Sequence, residues 1–296
     1  MSKPPILVCT DFSAIARHAA ERAALLAREL GAPLVLLHVL PGDALEALRG
    51  WFGASDAPAT RVTEDARHRL ETLAGELRAA HGVEVAASLG SGSVLDEILA
   101  EAERGDARLI VVGAQGEGVL RRLLLGTTAE RLVRRTPRPV LIVREAPRAG
   151  YSTALVAVDF SPSSVGTLAA ARAVAPQARP ILLTTFEVPF ADKLQIAGVD
   201  DATIAGYRQQ AEAEAAERLA AFATAAGLGA NDWQPLVMEG DAALRIVEQE
   251  QAQAADLVVL GKHGKSAREE LLLGSVTRHV LGEAARDVLI TVAKRG

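Results

Sequence analysis

The sequence is poor in aromatic residues and nearly devoid of cysteine. It holds two Trp, two Tyr, six Phe and a single Cys, Cys9. One cysteine excludes an internal disulfide, so a disulfide-stapled framework is out and a reducing compartment fits. Cys9 stands in an apolar run and reads as a buried free thiol. With aromatic residues at 3%, the core has to be built from Val, Leu, Ile and Ala, which suits parallel strands covered by Ala-rich helices. No stretch approaches the about 20 apolar residues needed to cross a bilayer. The opening Met1–Pro5 leads at once into a short strand-like run, not a signal-peptide core, so a cytoplasmic protein is expected. An excess of positive charge is also missing. Residues 1–148 carry 19 Lys+Arg and 19 Asp+Glu, and the remainder 13 and 18, which together give the net charge of −5. Without a basic half or a basic-aromatic pattern, no nucleic-acid partner is expected.

What is present is a duplication. A shift of 148 residues lays PILVCTDFS (5–13) on TALVAVDFS (153–161). Asp11 then meets Asp159, Pro41 meets Pro189, and Gly92 meets Gly240. Gly113, Gly116 and Gly126 meet Gly261, Gly264 and Gly274. The period is a domain length, with a Pro/Gly-containing boundary at 144–151. We expect domains at 1–147 and 151–296.

Each half alternates short apolar runs with longer helical stretches. In the first half the predicted strands lie near 5–10, 33–40, 83–89, 108–113 and 139–144. Helices are expected near 13–30, 60–81, 92–104 and 127–135. In the second half strands are expected near 153–158, 180–187, 233–238, 256–261 and 287–292. Strand–helix–strand repetition means parallel strands with right-handed crossovers, hence a five-stranded doubly wound α/β sheet per half. The segments 41–59 and 189–200, each after strand two, read as long loops able to act as flaps.

In such a sheet ligands bind beyond the carboxyl ends of the strands. After strand four the halves read GAQGEGVLRRLLLGTT (113–128) and GKHGKSAREELLLGSVT (261–277). Both are G, two residues, G, nine residues, G, then Thr or Ser. Glycine permits close backbone approach and positive φ, and successive N–H groups then cradle phosphate oxygens. The closing Gly-Thr and Gly-Ser pairs fall where a helix starts, an anion site in its own right. Asp11 and Asp159, at the end of strand one, suit a ribose or base edge; capping of the next helix is the alternative role for both. His38 and Val39 are placed to flank a flat base, and the second half departs there with Phe186 and Glu187. The second loop offers Lys262, His263 and Lys265 to phosphate; the first has Gln115 and Glu117, with Arg121 and Arg122 further on. A P-loop is excluded because Val259 stands where its first glycine belongs. The basic run Arg131–Arg138 reads as a solvated helix end. The histidines have no metal-ligand spacing.

The paired G-2x-G-9x-G-[ST] motifs, the Asp ending strand one and the GSVT run resemble the ATP-binding class of the universal stress protein family, in a tandem member covering both halves. The resemblance implies a flavodoxin-like (adenine nucleotide alpha hydrolase-like) fold of strand order 3-2-1-4-5. It implies ATP, ADP or AMP in each competent domain, with Mg²⁺. It also implies association of the domains through their last strands, and a homodimer as a further assembly. The family's site positions carry over onto Thr10, Asp11, Val39, Val112, Gly113, Gln115, Gly116, Gly126, Thr127 and Thr128. In the second half they fall on Val158, Asp159, Leu260, Gly261, His263, Gly264, Gly274, Ser275, Val276 and Thr277. The function so read is a nucleotide-dependent stress or regulatory protein whose state a protein partner reads, with no membrane partner. Two alternatives stand beside it: a slow ATP hydrolase or phosphotransferase, and a structural adaptor with vestigial pockets. No Glu or His is repeated beside both glycine loops to serve as a base, so fast turnover is not expected.

Overall fold

The computed structural model describes residues 3–52, 57–115, 126–189, 196, 197, 199–264 and 273–292. Gly116, Glu117, Arg121, Arg122 and Lys265, and residues 53–56, 190–195 and 198 of the expected flaps, lie outside this set. The chain forms two compact units. Unit 1 is Met1–Gly150 with Asp287–Ile290, and unit 2 is Tyr151–Arg286 with Thr291–Gly296.

In unit 1 the strands are β1 (Ile6–Cys9), β2 (Leu34–Pro41), β3 (Val85–Gly92), β4 (Leu109–Gly113) and β5 (Val140–Val143). Their order is β3-β2-β1-β4-β5, all parallel, with Ile6 opposite both Leu34 and Leu109. This is the doubly wound order expected. A strand from the end of the chain, β10 (Asp287–Thr291), runs antiparallel to β5, Leu289 opposite Leu141. In unit 2, β6 (Thr153–Ala157), β7 (Arg179–Phe186), β8 (Gln234–Glu239) and β9 (Leu257–Gly261) lie in the order β9-β6-β7-β8, again parallel.

Helix α1 (Ala14–Leu30) shows why the elements start and stop where they do. Ser13 caps it by accepting the Ala16 N–H at 3.2 Å, and Gly31 ends it in the left-handed region at φ 56°. Its buried face is Ala16, Ala19, Ala20, Ala23, Ala24, Leu26 and Ala27. These small side chains let the helix lie close on β1 and β4, as an aliphatic core requires. The other helices of unit 1 are α2 (Gly42–Phe52), α3 (Ala57–His81), α4 (Val94–Arg104) and α5 (Thr127–Arg135). Those of unit 2 are α6 (Pro162–Val174), α7 (Asp201–Ala225), α8 (Ala242–Ala252) and α9 (Ser275–Glu283).

Helix α2 corrects the reading of 41–59 as a loop. Its DALEALR run is made of good helix formers with Asp43 in the first turn, and these outweigh the preceding Pro41 and the helix's own Gly42 and Gly50. The arginines of 131–138 are largely engaged. Arg134 pairs with Glu130 at 2.7 Å, Arg135 with Asp96 at 2.9 Å and Arg138 with Asp106 at 3.0 Å.

The duplication reaches the backbone. Phe12 and Phe160 both take positive φ (65° and 60°), as do Asp106 and Ala254 (46° and 49°), and Gly92 and Gly240 (131° and 111°). An aromatic residue in the left-handed region costs about 1–2 kcal/mol. Both copies hold that strain at one place, between the Asp that follows strand one and the next helix.

One charge pair in unit 1 has no counterpart at the matching positions, Ala170 and Pro139. Arg22 Nε donates to Asp287 Oδ2 at 3.2 Å and its Nη1 donates to the Ala149 carbonyl at 2.7 Å. The other Asp287 oxygen accepts the Arg144 N–H at 2.9 Å. Both side chains are buried. Among the described residues no helix is long and apolar enough to cross a membrane.

Candidate functional site

In unit 2 the strand ends open into a cavity of about 1180 Å³. From β6 come Val158 and Asp159; from β9 come Leu260, Gly261, His263 and Gly264; from the start of α9 come Gly274, Ser275, Val276 and Thr277. All ten second-half positions expected from the sequence therefore line one cavity.

The loop after β9 is anchored at both ends. The Lys262 N–H donates to the Thr291 carbonyl at 2.7 Å, and the Gly274 N–H donates back to the Lys262 carbonyl at 3.2 Å. Unit 1 repeats both bonds: Ala114 N–H to Val143 at 2.8 Å, and Gly126 N–H to Ala114 at 2.7 Å. The chain thus leaves the strand and, after eleven intervening residues, returns to its point of departure. Gly126 and Gly274 occupy the N-cap positions of α5 and α9 and make no side-chain cap bond, so these helix starts lack the usual side-chain acceptor. That is the arrangement an anion completes.

The glycines act by leaving room. None of the described loop glycines has positive φ, contrary to the sequence expectation. A Cβ at Gly264 would instead stand 2.9 Å from Asp159 Oδ2, so the missing side chain is what lets the loop and the carboxylate face each other.

Asp159 is held firmly. Its Oδ1 accepts the Ser161 N–H at 2.9 Å, the Ser161 hydroxyl at 2.6 Å and the Ser164 hydroxyl at 2.7 Å. The cap position of α6 belongs to Ser161 and that of α1 to Ser13. Asp11 accepts the Ser13 N–H at 3.0 Å. Both aspartates therefore brace the turn and leave the cap to serine. Ser161 also contacts Ser163 at 2.7 Å, and Thr167 contacts Thr291 at 2.9 Å.

Several lining residues went unnoticed in the sequence: Ser163, Ser164, Thr167, Glu214 and Arg218. The three hydroxyls had a legible signal, since unit 1 has Ile15, Ala16 and Ala19 at the same places. Arg218 lies 4.4 Å above the Phe160 ring. Lys262 differs from expectation: it is buried and outside the lining, because position 262 extends the line of β9 and is tied to β10 by its backbone.

In unit 1, Thr10, Asp11, Val39, Val112, Gly113 and Gln115 stand at or just past the ends of β1, β2 and β4, and Gly126, Thr127 and Thr128 open α5. The cavity there is smaller, about 320 Å³, and takes only Thr10 from that set. It is walled by Phe12, with Arg69 4.2 Å above its ring and His38 4.4 Å away, and by Arg17, which donates to Glu76 at 2.7 Å. His38 Nδ1 donates to the Thr10 carbonyl at 2.7 Å. A Cβ at Gly113 would meet Ile15 Cγ2 at 2.8 Å, so helix α1 presses on this loop, whereas Ser163 takes the place of Ile15 in unit 2. Cys9, at the end of β1, is half-buried as a residue. Desolvation of its thiol, with Glu101 nearby adding to it, pushes its pKa up to about 12.

Parallel doubly wound sheets with a cavity at their carboxyl ends place both halves in the flavodoxin-like α/β class. The profile of the universal stress protein family matches residues 4–144 and again 150–291, and the chain belongs to that family, with two such domains. A universal stress protein of Mycolicibacterium smegmatis is 28% identical over 96% of both chains. One from Mycobacterium tuberculosis is 31% identical over 62% of each. Among solved structures, a universal stress protein from Archaeoglobus fulgidus matches 99% of this chain and all of its own at a TM-score of 0.71 and 18% identity, a likeness of fold.

Proposed function

We propose that the chain is an adenine-nucleotide-binding regulatory protein, with one site per half at 1–147 and 151–296, and with the open site in unit 2. One observation carries this reading. A single cavity gathers the Asp159 carboxylate, the glycine loop and an uncapped helix start. These are the acceptor for a ribose, the close backbone for a polyphosphate and the donors for its oxygens. Mg²⁺ would travel with the phosphates, which supply most of its oxygen ligands together with water. A partner protein reads nucleotide occupancy.

The test is direct. Purified protein is denatured and its supernatant searched by mass spectrometry for AMP, ADP or ATP, and the stoichiometry of labelled ATP is measured on the wild type and on Gly264→Val. The valine drives a side chain into Asp159 and the cavity, so one bound nucleotide per chain is lost. Unchanged stoichiometry and affinity refute the unit 2 assignment. The Ser164–Asp159 bond at 2.7 Å supports a slow phosphoryl transfer as the second reading, since a carboxylate beside a hydroxyl is the start of a base–nucleophile pair. Phosphate release or serine phosphorylation over hours, absent in Gly264→Val, would establish it.

A further inference from the structure

We infer that Glu187 reads the exocyclic amine of the base in the unit 2 cavity and makes that site selective for adenine over 6-keto purines. The inference rests on the reading above that the cavity holds a nucleotide. The strand order β9-β6-β7-β8 lays the site out as a ruler. Neighbouring strands are about 4.8 Å apart, so the end of β7 lies about 10 Å from the glycine loop after β9. A nucleotide with its phosphates at that loop and its ribose at Asp159 carries its base to the end of β7. Phe186 and Glu187 stand there and line the cavity.

The carboxylate is specific to this half, because the matching residue of unit 1 is Val39, buried in the core. Four carboxylates line the cavity: Asp159, Glu187, Glu214 and Asp241. Asp159 gives its Oδ1 to the serines, and its other oxygen serves the ribose in the reading above. Asp241 accepts the N–H groups of Ala243 and Leu244 at 2.9 and 3.0 Å, and Glu214 accepts from Gln210 at 3.0 Å. Glu187 alone of the four has no hydrogen-bond or ion-pair partner among the described residues.

A carboxylate accepts and cannot donate. The C6 amine of adenine donates to it, while the O6 of hypoxanthine or guanine presents a second acceptor and is repelled. A hydrogen bond to a charged group, partly exposed, is worth about a tenfold difference in affinity.

The experiment compares ATP with inosine triphosphate by calorimetry on the full chain, following the site that Gly264→Val removes. Wild type is expected to prefer ATP about tenfold. Glu187→Val brings the ratio close to one without abolishing binding, and Glu187→Lys, which places a donor there, turns the preference toward inosine triphosphate. Glu187 is exposed, so both variants keep the fold. An ATP-to-inosine ratio unmoved by either variant overturns the role of Glu187 and leaves the nucleotide site standing. GTP binding more tightly than ATP overturns it as well, since a carboxylate would then be reading the two donors of guanine. A wild type that binds no nucleotide defeats the parent reading instead.

Discussion

Removing the Asp159 carboxylate separates its structural work from its ligand work. In Asp159→Ala, the Ser161 N–H and the Ser161 and Ser164 hydroxyls all lose their acceptor. Both serines are buried, at 8% and 3% exposed, so water replaces the carboxylate poorly. Three charge-assisted bonds would sum to well over 4 kcal/mol at face value, but Asp159 itself is half-buried and the hydroxyls can turn to other acceptors. We therefore expect a loss of about 3 kcal/mol in unit 2. The matched Asp11→Ala change, where Ser13 is the serine retained and Ala16 replaces Ser164, should cost about 1 kcal/mol. The halves can be read apart, because Trp233 lies in unit 2 and Trp51 in the first half. Urea unfolding of Trp51→Phe protein, followed by Trp233 fluorescence, measures unit 2. Adding Ser161→Ala and Ser164→Ala first should shrink the cost of Asp159→Ala by at least half, the coupling that marks a shared network. A cost for Asp159→Ala below about 0.5 kcal/mol, or one unaffected by the serine changes, refutes the network as drawn.

Three further outcomes follow from the structure. Arg22→Ala strands the buried Asp287 carboxylate and should cost about 3–5 kcal/mol in denaturant unfolding, with Asp287→Asn recovering part of the loss in the double variant because Asn still accepts the Arg144 N–H. Cys9, raised to about 12, is ionised only about 1 part in 10⁴ at pH 8; iodoacetamide should label it fully in urea and hardly at all in the native protein, and fast native labelling would contradict its burial. Asp200 has its pKa lowered by the Thr203 N–H and hydroxyl it accepts at the start of α7. Since the folded value lies below the unfolded one, its contribution is present above pH 3.8 and is lost as pH falls through the folded value; Asp200→Asn should flatten that part of an acid titration followed by circular dichroism.

The strands and most helices were legible because each rests on a local period: the apolar runs at 5–10 and 108–113, and the uninterrupted Ala-rich 14–30 ending at Gly31. Helix α2 was not, since Pro41, Gly42 and Gly50 read as loop punctuation while its support comes from the strand ends and the helix beside it. The ten second-half positions came from the family resemblance, and they line one cavity because strand ends in a parallel sheet meet by topology. Glu214 and Arg218 could not be, because they reach the cavity from α7, more than 50 residues after Asp159, and helix periodicity does not say which face covers a site.

Sequence alone determined that the chain is written twice, that each copy is a doubly wound sheet, and where the matched glycine motifs fall, because these follow from spacing along the chain. Only the tertiary structure decided which side chains meet at each loop. A Cβ at Gly113 would stand 2.8 Å from Ile15 where Gly261 has Ser163 at 3.7 Å, and among the described residues the unit 2 cavity gathers all ten expected positions where the unit 1 cavity takes Thr10. Room at a site is set by side chains from distant elements meeting in space, and no repeat in the sequence records whether they meet.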